Sequence, residues 1–475
     1  MLLDVNMWLG NNDFIKSFFV MKKIILSLFV LMLAQSFYAQ EKIWEETEDE
    51  KTERLSWWIH DRFGMFIHWG LYAQPARHEW VKKREHISDE DYQKYFDMFD
   101  PDLFEPTEWA RKAKAAGMKY AVITTKHHEG FCMFDSKYTD YDVMSTPYGK
   151  DVVKEWVEAF RAEGLGVGFY YSLIDWHHPQ FTIDTRHSIK ASSDKEFKEL
   201  NKGRDMAIYR EYMKNQVEEL MTNYGKIDML WLDFSYPGKN GKGREEWGSV
   251  DLLKMVRNLQ PGIIVNDRLD LKDYEGGWDF TTPEQFKVEK WPEINGKKVP
   301  WETCQTFSGS WGYNRDELTW KNNKQLLVLL IESVSKGGNL LLNVGPTARG
   351  TFDYRADDAL AGMGDWMKFN SASIYGCTEA PQEYVAPANT ILTYNQETNR
   401  LYVHLLDYPM QNLLMPGFNG KVKYARFLHD ASEIQLGHRH GAWGKEETKA
   451  EDLYLKLPVN KPNIEIPVIE IFLEK

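Results

Sequence analysis

The sequence has few cysteines, no cluster of basic residues and no CxxC pair. Its 475 residues include 3 cysteines, Cys132, Cys304 and Cys377, which lie far apart. A disulfide framework or a zinc cluster is therefore not expected, since both need several closely spaced cysteines. The formal net charge is −13. Nucleic acid is not expected as a partner, because phosphate binding needs clustered lysine and arginine.

The composition otherwise describes a large folded protein. Hydrophobic residues make up 43% of the chain and aromatic residues 14%, with 18 Trp. This hydrophobic fraction supports a substantial core, and the length suits one large domain and one smaller domain. The tryptophans are consistent either with that core or with carbohydrate binding, because an indole face stacks on the C–H faces of a sugar. Composition leaves both interpretations open.

Residues 1–40 have the pattern of a secretory signal peptide. Met21-Lys22-Lys23 begins a basic segment, residues 24–34 are apolar, and Tyr38-Ala39-Gln40 follows. Met21 is therefore a candidate start. The apolar run is too short for a stable membrane span, and no cysteine follows it for a lipid anchor. We predict an exported protein, periplasmic or extracellular, with no membrane anchor.

Strand-like and helix-like segments alternate from residue 41 to residue 375. The candidate strands are 64–68, 120–125, 166–171, 227–233, 263–266, 278–281, 301–304 and 339–344. Continuous apolar strands are typical of a parallel sheet buried on both faces. The eight-fold alternation predicts an α/β protein with a (β/α)8 barrel of the TIM type. An open doubly wound sheet is the alternative, and it lacks support because no G-x-G-x-x-G follows the first strand.

The pattern changes after residue 375. The candidate helices before that point are 107–116 with Thr107 as a cap, 151–163, 207–224, 250–259 and 324–335. Beyond it, short apolar segments at 390–394, 401–405 and 464–469 are separated by turn residues. This alternation of short apolar segments and turns predicts a C-terminal antiparallel β-sandwich over residues 376–475. It carries no catalytic constellation, so we expect a structural or packing role.

Polar side chains stand where most of the candidate strands end, which is the face of a β/α barrel that carries the active site. His68, His127, His128, Asp233 and Arg268 all lie at or just beyond such ends. Asp233 closes an apolar strand, and a buried carboxylate is costly unless it is paired. Arg268 is a candidate partner. We therefore expect these residues to converge on one rim.

Asp233 suits the nucleophile of a retaining glycosidase. Such an enzyme needs two carboxyls about 5–5.5 Å apart, one as nucleophile and one as acid/base. Aspartate on a rigid strand suits the first role, and glutamate on a loop suits the second. Glu284, Glu275 and Glu302 are the candidates for the loop carboxyl. Spacing alone does not choose between them.

Two other chemistries are disfavoured by the motifs. His127 and His128 are adjacent, but no H-E-x-x-H spacing supplies the further ligand that a catalytic zinc needs. Hydrogen bonding to sugar hydroxyls is the better interpretation of these histidines. A serine hydrolase is disfavoured because no G-x-S-x-G elbow occurs.

An ordered set of short motifs over residues 43–380 resembles glycoside hydrolase family 29, the α-L-fucosidases. The motifs are Phe66-Ile67-His68-Trp69-Gly70, Glu79-Trp80, Lys126-His127-His128-Glu129-Gly130-Phe131, Tyr170-Tyr171-Ser172, Trp231-Leu232-Asp233, Asn266-Asp267-Arg268 and 338–346. The resemblance implies a barrel followed by a β-sandwich, and a retaining exo-enzyme that releases terminal α-L-fucose from a fucosylated glycan. It implies neither a metal nor an organic cofactor.

The resemblance also implies roles for individual residues. Asp233 matches the nucleophile, and the segment around Glu284 resembles the one that carries the acid/base, with Glu275 as the runner-up. Arg268 matches an arginine near the ring oxygen and the nucleophile. The residues implied to hold the fucose hydroxyls are His68, Glu79, Trp80, His127 and His128. Those implied to form the apolar wall for the C5 methyl are Phe66, Tyr171 and Trp231, with Tyr170 as the alternative to Tyr171 because strand alternation points only one of them at the pocket.

Two alternative functions remain at this stage. One is a retaining glycosidase for another sugar, and the other is a fucose-binding relative without catalysis. The apolar wall disfavours the first, because it rewards a 6-deoxy sugar. Trp301 and Trp311 are candidates either for an outer sugar site or for the core. The linkage, the aglycone and the oligomeric state are not determined by the sequence.

Overall fold

The computed structural model describes residues 43–238, 241–437 and 449–474. The predicted signal peptide at residues 1–40 lies outside the described residues. The strands are β1 (Phe63–Ile67), β2 (Tyr120–Lys126), β3 (Gly166–Ser172), β4 (Met229–Asp233), β5 (Ile264–Val265), β6 (Glu293–Ile294), β7 (Lys297–Lys298), β8 (Glu302–Thr306), β9 (Asn339–Val344), β10 (Thr390–Asn395), β11 (Arg400–Leu405), β12 (Asn412–Met415), β13 (Val422–Phe427), β14 (Gln435–Gly437), β15 (Leu453–Lys456) and β16 (Val468–Leu473). The α-helices are α1 (Glu48–Asp61), α2 (Val81–Arg84), α3 (Asp89–Asp97), α4 (Pro106–Ala115), α5 (Val152–Ala162), α6 (Asp194–Leu200), α7 (Met206–Thr222), α8 (Arg244–Trp247), α9 (Ser249–Leu259), α10 (Asn323–Val334) and α11 (Tyr354–Asn370). Within these ranges every helix is too short or too polar to traverse a lipid bilayer.

Seven strands form one parallel sheet in the order β5-β4-β3-β2-β1-β9-β8. All of them were predicted from the apolar runs, and the parallel α/β class is confirmed. Because the strands are parallel, their carboxyl ends and the residues that follow them lie at the same end of the sheet. The sheet therefore creates the rim on which the site is built.

The two faces of this sheet are buried in different ways. Alternate residues such as Met65, Ile67 and Leu230 pack against helix residues in the largest apolar cluster. The other face forms a second cluster, whose strand members are Phe66, Tyr120, Val122, Tyr170, Met229, Trp231, Ile264, Cys304 and Leu341. Leu55 and Trp58 of α1 join this second cluster. Burial on both faces explains why the strands are apolar without alternation.

The predicted strand at 278–281 forms isolated bridges instead of a regular strand. Phe280 bridges Asn266 beyond β5, Thr281 bridges Trp301, and Glu284 bridges Cys304 of β8, all in parallel. Phe280 belongs to the same inner cluster as the seven strands. Asp279, directly before Phe280, accepts a hydrogen bond from the Val265 N–H through its side chain. At this position a side-chain bond therefore replaces one of the backbone bonds of a regular strand pair.

Helix starts follow local capping chemistry, with one correction. Asp151 caps α5 by accepting from Lys154 N–H, and Asn322 caps α10 in a capping box. The predicted Thr107 cap is wrong: α4 begins at Pro106, which suits the first helical position because it has no N–H to satisfy. Six helices of the described residues, namely α1, α2, α3, α6, α8 and α11, are not among the predicted elements.

The C-terminal residues form two antiparallel sheets, in the orders β10-β11-β16-β13 and β12-β15-β14. Apolar side chains from both sheets, among them Leu401, Met415, Leu455 and Ile471, share one cluster. The strand predicted at 464–469 instead begins at Val468, because Pro467 has no N–H for the ladder. The segment before β16 contacts α11, where Trp366 Nε1 donates to the Ile466 carbonyl at 2.8 Å.

Candidate active site

A cavity of about 770 Å³ opens at the carboxyl ends of the parallel strands. This volume lies in the range of small-molecule sites. Ten sequence-predicted residues line it, namely Phe66, His68, Glu79, Trp80, His127, His128, Trp231, Asp233, Arg268 and Glu284. Tyr170, Arg84, Arg186, Phe234, Tyr236, Cys304 and Trp311 line it as well. Of the two tryptophans considered for an outer site, Trp311 lines the cavity and Trp301 is buried in the core.

Asp233 stands at the tip of β4 with two polar partners. Its Oδ2 accepts a hydrogen bond from the Tyr170 hydroxyl at 2.8 Å, and its Oδ1 lies 3.4 Å from Arg268 Nη1. Burial raises the pKa of the Asp233 carboxyl to about 6, with Arg268 and Tyr170 opposing the shift and the nearby Glu284 adding to it. A carboxylate with such a pKa is mostly ionised at pH 7, as a nucleophile must be.

Arg268 connects the two candidate catalytic carboxyls. Its Nη2 lies 3.2 Å from Glu284 Oε2 while its Nη1 contacts Asp233. The Thr282 hydroxyl accepts from Arg268 Nε at 2.6 Å and holds the guanidinium in place. Glu284 is 42% exposed, whereas Asp233 is 13% exposed. The pair therefore consists of one enclosed carboxylate on a strand and one solvent-facing carboxyl on a loop, joined by neighbouring nitrogens of one arginine.

Hydrogen bonds determine the tautomer of His68. The Asn343 amide donates from Nδ2 to the Trp311 carbonyl at 2.6 Å, which leaves its Oδ1 to accept from His68 Nδ1 at 2.6 Å. Burial lowers the pKa of His68 to about 4, so the ring is neutral at pH 7. With its proton on Nδ1, His68 keeps Nε2 as an acceptor. A sugar hydroxyl can donate to that nitrogen.

His128 is oriented by the same kind of relay. The Ser172 hydroxyl donates to the Ile174 carbonyl at 2.8 Å and therefore accepts from His128 Nδ1 at 2.7 Å. His127 stacks on Tyr170 with ring centroids 5.7 Å apart, and its Nδ1 is buried with no hydrogen-bond partner among the described residues. Burial lowers the pKa of both histidines well below the usual value. They are thus neutral, hydrogen-bonding rings.

Glu79 is the third carboxylate of the cavity. Its Oε2 accepts from the backbone N–H groups of Trp311 and Gly312 at 3.2 and 3.0 Å, and its Oε1 lies 3.0 Å from His78 Nδ1. Burial alone would raise the pKa of Glu79, but His78 and the Gly312 N–H outweigh it and leave the pKa lowered. Glu79 is therefore ionised, and it ties the loop after β8 to the loop after β1.

Three aromatic rings form the floor of the cavity. Phe66 lies 5.3 Å from Trp231 and 5.8 Å from Tyr170, measured between ring centroids. Trp80 lies on the neighbouring wall, 5.1 Å from His128. The floor presents apolar surface directly beneath the carboxylates.

The assignment of Tyr171 to this wall is corrected by the structure. Its hydroxyl donates to Gln216 of α7 at 2.7 Å, on the helix-covered face of the sheet. Tyr170 instead pairs in register with Trp231 and faces the cavity. Strand alternation permits only one of two consecutive tyrosines on each face. The sequence did not contain this choice, because it depends on the register between β3 and β4.

The other two candidate acid/base residues lie elsewhere. Glu275 is exposed and does not line the cavity. Glu302 is buried below the floor, where its Oε2 accepts from Tyr120 Oη and, at 3.2 Å, from Trp58 Nε1. Burial raises the pKa of Glu302 to about 7. Within the described part of the chain, no group of three or more His, Cys, Asp or Glu side chains could hold a metal ion.

A strand-borne aspartate and a loop glutamate, joined by one arginine, form the arrangement expected of a glycoside hydrolase. A family model described as alpha-L-fucosidase matches residues 30–372. The chain belongs to the α-L-fucosidase family.

Solved structures and curated relatives agree with this assignment. Alpha-L-fucosidase isoenzyme 1 from Paenibacillus thiaminolyticus is 44% identical, covers 90% of this chain and 100% of its own, and superposes with a TM-score of 0.82. A GH29 alpha-L-fucosidase from Bacteroides thetaiotaomicron, trapped as a covalent intermediate with 2-fluoro-fucosyl fluoride, is 27% identical over 92% of this chain and 98% of its own, with a TM-score of 0.75. The curated alpha-L-fucosidase of Dictyostelium discoideum is 28% identical over 83% of this chain and 87% of its own length.

Proposed function

We propose that this α-L-fucosidase removes terminal α-L-fucose from oligosaccharides or glycoconjugates with retention of anomeric configuration. The observation that carries the proposal is the contact of Arg268 with both Asp233 and Glu284 at the rim of one sugar-sized cavity. The family supports the same reaction, because a GH29 relative has been trapped as a covalent intermediate. The presence of both carboxyls argues against a purely sugar-binding relative.

In the proposed mechanism, Asp233 attacks C1 of the fucose while Glu284 protonates the glycosidic oxygen. The bond to the leaving sugar breaks, and a fucosyl ester of Asp233 forms through an oxocarbenium-like transition state. Glu284 then takes a proton from water, whose oxygen attacks C1 and releases Asp233. Two inversions at C1 leave the configuration unchanged. Solvent exposure of Glu284 suits this second step, since water must reach it.

The cavity suits fucose because it combines polar acceptors with an apolar floor. Neutral His68 and His128 each hold an Nδ1 proton through a fixed partner, which leaves Nε2 free to accept from sugar hydroxyls. The rings of Phe66, Tyr170 and Trp231 suit the C5 methyl. A sugar with a hydroxymethyl group would bury an unpaired hydroxyl there, and such a mismatch is strongly disfavoured.

The catalytic roles are tested with Asp233→Gly and Glu284→Ala, each assayed on an activated aryl α-L-fucoside with and without azide. We expect Asp233→Gly to lose activity by about 10³-fold or more, since the nucleophile is removed. Azide should give β-fucosyl azide with Asp233→Gly and α-fucosyl azide with Glu284→Ala. The matched control is Glu275→Ala, which removes an exposed glutamate outside the cavity. Full activity in Glu284→Ala, or loss in Glu275→Ala, would refute the acid/base assignment.

The architecture around the site also belongs to the proposal. We propose that residues 41–375 form a catalytic (β/α)8-type barrel, in which the bridging segment 280–284 takes the place of the eighth strand between β5 and β8. Residues 376–475 are proposed as a β-sandwich, supported by the apolar cluster shared by the two antiparallel sheets. The apolar segment at 24–34 supports export to the periplasm or the medium.

A further inference from the structure

Three cations, Lys83, Arg84 and Arg186, lie at one side of the cavity mouth; we call them the cationic rim. Lys83 and Arg84 belong to α2, directly after Glu79 and Trp80. Arg186 comes from the loop between β3 and α6. Arg84 and Arg186 line the same cavity as Asp233 and Glu284. The cationic rim is thus part of the substrate entrance and not a remote surface feature.

The cationic rim is not neutralised by the protein. Among the described residues, no carboxylate forms an ion pair with Arg84, Arg186 or Lys83. The nearby Asp184 is already occupied, because its Oδ2 binds Lys242 and accepts from the Tyr236 hydroxyl at 2.7 Å. Burial and the neighbouring Arg186 lower the pKa of Lys83 to about 8. Burial is the larger of these two causes, and Asp184 opposes both.

Other cations around the site differ from the cationic rim in this respect. Arg268 contacts both catalytic carboxyls, Lys242 binds Asp184, Arg244 binds Asp273 and Lys272 binds Asp267. Acidic residues outnumber basic residues in this protein, whose formal net charge is −13. Carboxylates are therefore plentiful, yet none among the described residues forms an ion pair with the cations of the cationic rim.

Aromatic rings position the cationic rim. The Arg186 guanidinium lies 5.7 Å from the Phe234 ring and 6.0 Å from the Tyr236 ring. Lys83 Nζ lies 5.3 Å from the Trp80 ring and donates to the Thr185 carbonyl at 2.8 Å. Phe234 follows the nucleophile directly and has a φ of 83°, a conformation that costs energy for a phenylalanine and that places its ring beside the mouth. These contacts combine a ring surface with fixed positive charge.

We propose that the cationic rim selects fucosylated glycans whose adjoining sugar carries an anionic group, a carboxylate or a sulfate. This inference rests on the proposed function and adds the class of aglycone to it. The catalytic cavity itself contains Glu79, Asp233 and Glu284, so an anionic aglycone would be repelled at its mouth without compensating cations. Arginine forks match the geometry of carboxylate and sulfate oxygens. A neutral glycan can accept hydrogen bonds from these cations but forms no ion pair with them.

The test measures binding of matched fucosyl disaccharides as competitors of aryl α-L-fucoside hydrolysis. In each of the α-1,2, α-1,3 and α-1,4 linkages, the second sugar is galactose, galacturonate or galactose 6-sulfate. The readout is the ratio of the Ki of the neutral disaccharide to that of the anionic one. For at least one linkage we expect a ratio of about 5 or more at 20 mM salt, as two partly exposed ion pairs would give. The ratio should fall towards 1 at 0.5 M salt because of screening.

The double variant Arg84→Gln/Arg186→Gln should bring the low-salt ratio to about 1. The matched control is Arg349→Gln, which changes an exposed arginine that is paired with Asp102 and does not line the cavity; it should keep the wild-type ratio. Because each ratio is taken within one variant, a partial loss of folded enzyme cancels. A preference for galacturonate or for the sulfate identifies which anion is favoured. A ratio of 1 or less in every linkage, or a ratio unchanged in the double variant, overturns the inference. Absence of aryl α-L-fucoside hydrolysis by the wild type would instead refute the proposed function.

Discussion

The hydrogen bond from Tyr170 to Asp233 makes a prediction about pH. The variant Tyr170→Phe removes the hydroxyl that donates to Asp233 Oδ2 at 2.8 Å and leaves the ring in the cavity floor. A hydrogen bond to a charged group contributes about 1.5–3 kcal/mol, and one pKa unit corresponds to about 1.4 kcal/mol. Because the bond stabilises the ionised form, the pKa of Asp233 should rise by about 1–2 units from its value of about 6.

The sign of the effect on activity follows from the role of Asp233. The nucleophile works only when ionised, so activity is lost as pH falls through its pKa, and a raised pKa moves this acid limb to about pH 7–8 in the variant. At pH 7 the ionised fraction then falls from about nine tenths to between a half and a tenth. We therefore expect kcat/KM at pH 7 to drop by about 2- to 10-fold from protonation, with recovery above about pH 9.

The assay is the pH profile of kcat/KM on an aryl α-L-fucoside with a good leaving group, which needs little proton donation from Glu284. The matched control is Tyr171→Phe, since the neighbouring hydroxyl donates to Gln216 outside the cavity. Its acid limb should stay at the wild-type position. If Tyr170→Phe leaves the limb unmoved, or if Tyr171→Phe moves it, the assignment of Tyr170 to the nucleophile is refuted.

Two further predictions concern buried carboxyls beside the site. Because the folded pKa of Glu302 is raised from 4.5 to about 7, its contribution to stability is full below about pH 4.5 and is lost as pH rises to about 7. We compare the free energy of unfolding in urea of Glu302→Gln with that of the wild type. The difference between them should shift by about 3 kcal/mol in favour of the variant from pH 4.5 to pH 8. A difference that does not change with pH would contradict this. Asp279→Asn should lower the free energy of unfolding, measured with urea at pH 7, by about 3 kcal/mol or more. The reason is that Arg54 and Arg257 lose their buried counter-charge. A loss below about 1 kcal/mol would show that Asp279 is not structural.

The regular elements could be predicted from local pattern, because a strand buried on both faces must be apolar along its whole length. Segments 120–125 and 339–344 are examples, and both are strands in the structure. The segment 278–281 shows where this reasoning fails. It has a strand-like composition, yet Asp279 bonds to Arg54 and Arg257, whose positions depend on α1 and α9. Long-range side-chain partners decide its conformation, and no local pattern contains them.

The same division holds within the active site. Asp233 and Arg268 were identifiable because each lies at or beyond a strand end, and parallel strands bring those ends together. The choice of Tyr170 over Tyr171 needed the register between β3 and β4, in which Tyr170 pairs with Trp231. The exclusion of Glu302 needed its depth below the cavity floor. Each of these depends on which strand lies beside which, and strand order is a property of the whole chain.

The sequence by itself determined the kind of chemistry, since it supplied carboxylates, imidazoles and aromatic rings at the positions where buried strands end. Only the tertiary structure decided how those groups act. Burial raised the pKa of Asp233 and lowered that of His68, and the Asn343 amide set the imidazole tautomer. Protonation depends on desolvation and on neighbouring charges, and both exist only after segments distant in the chain have packed together.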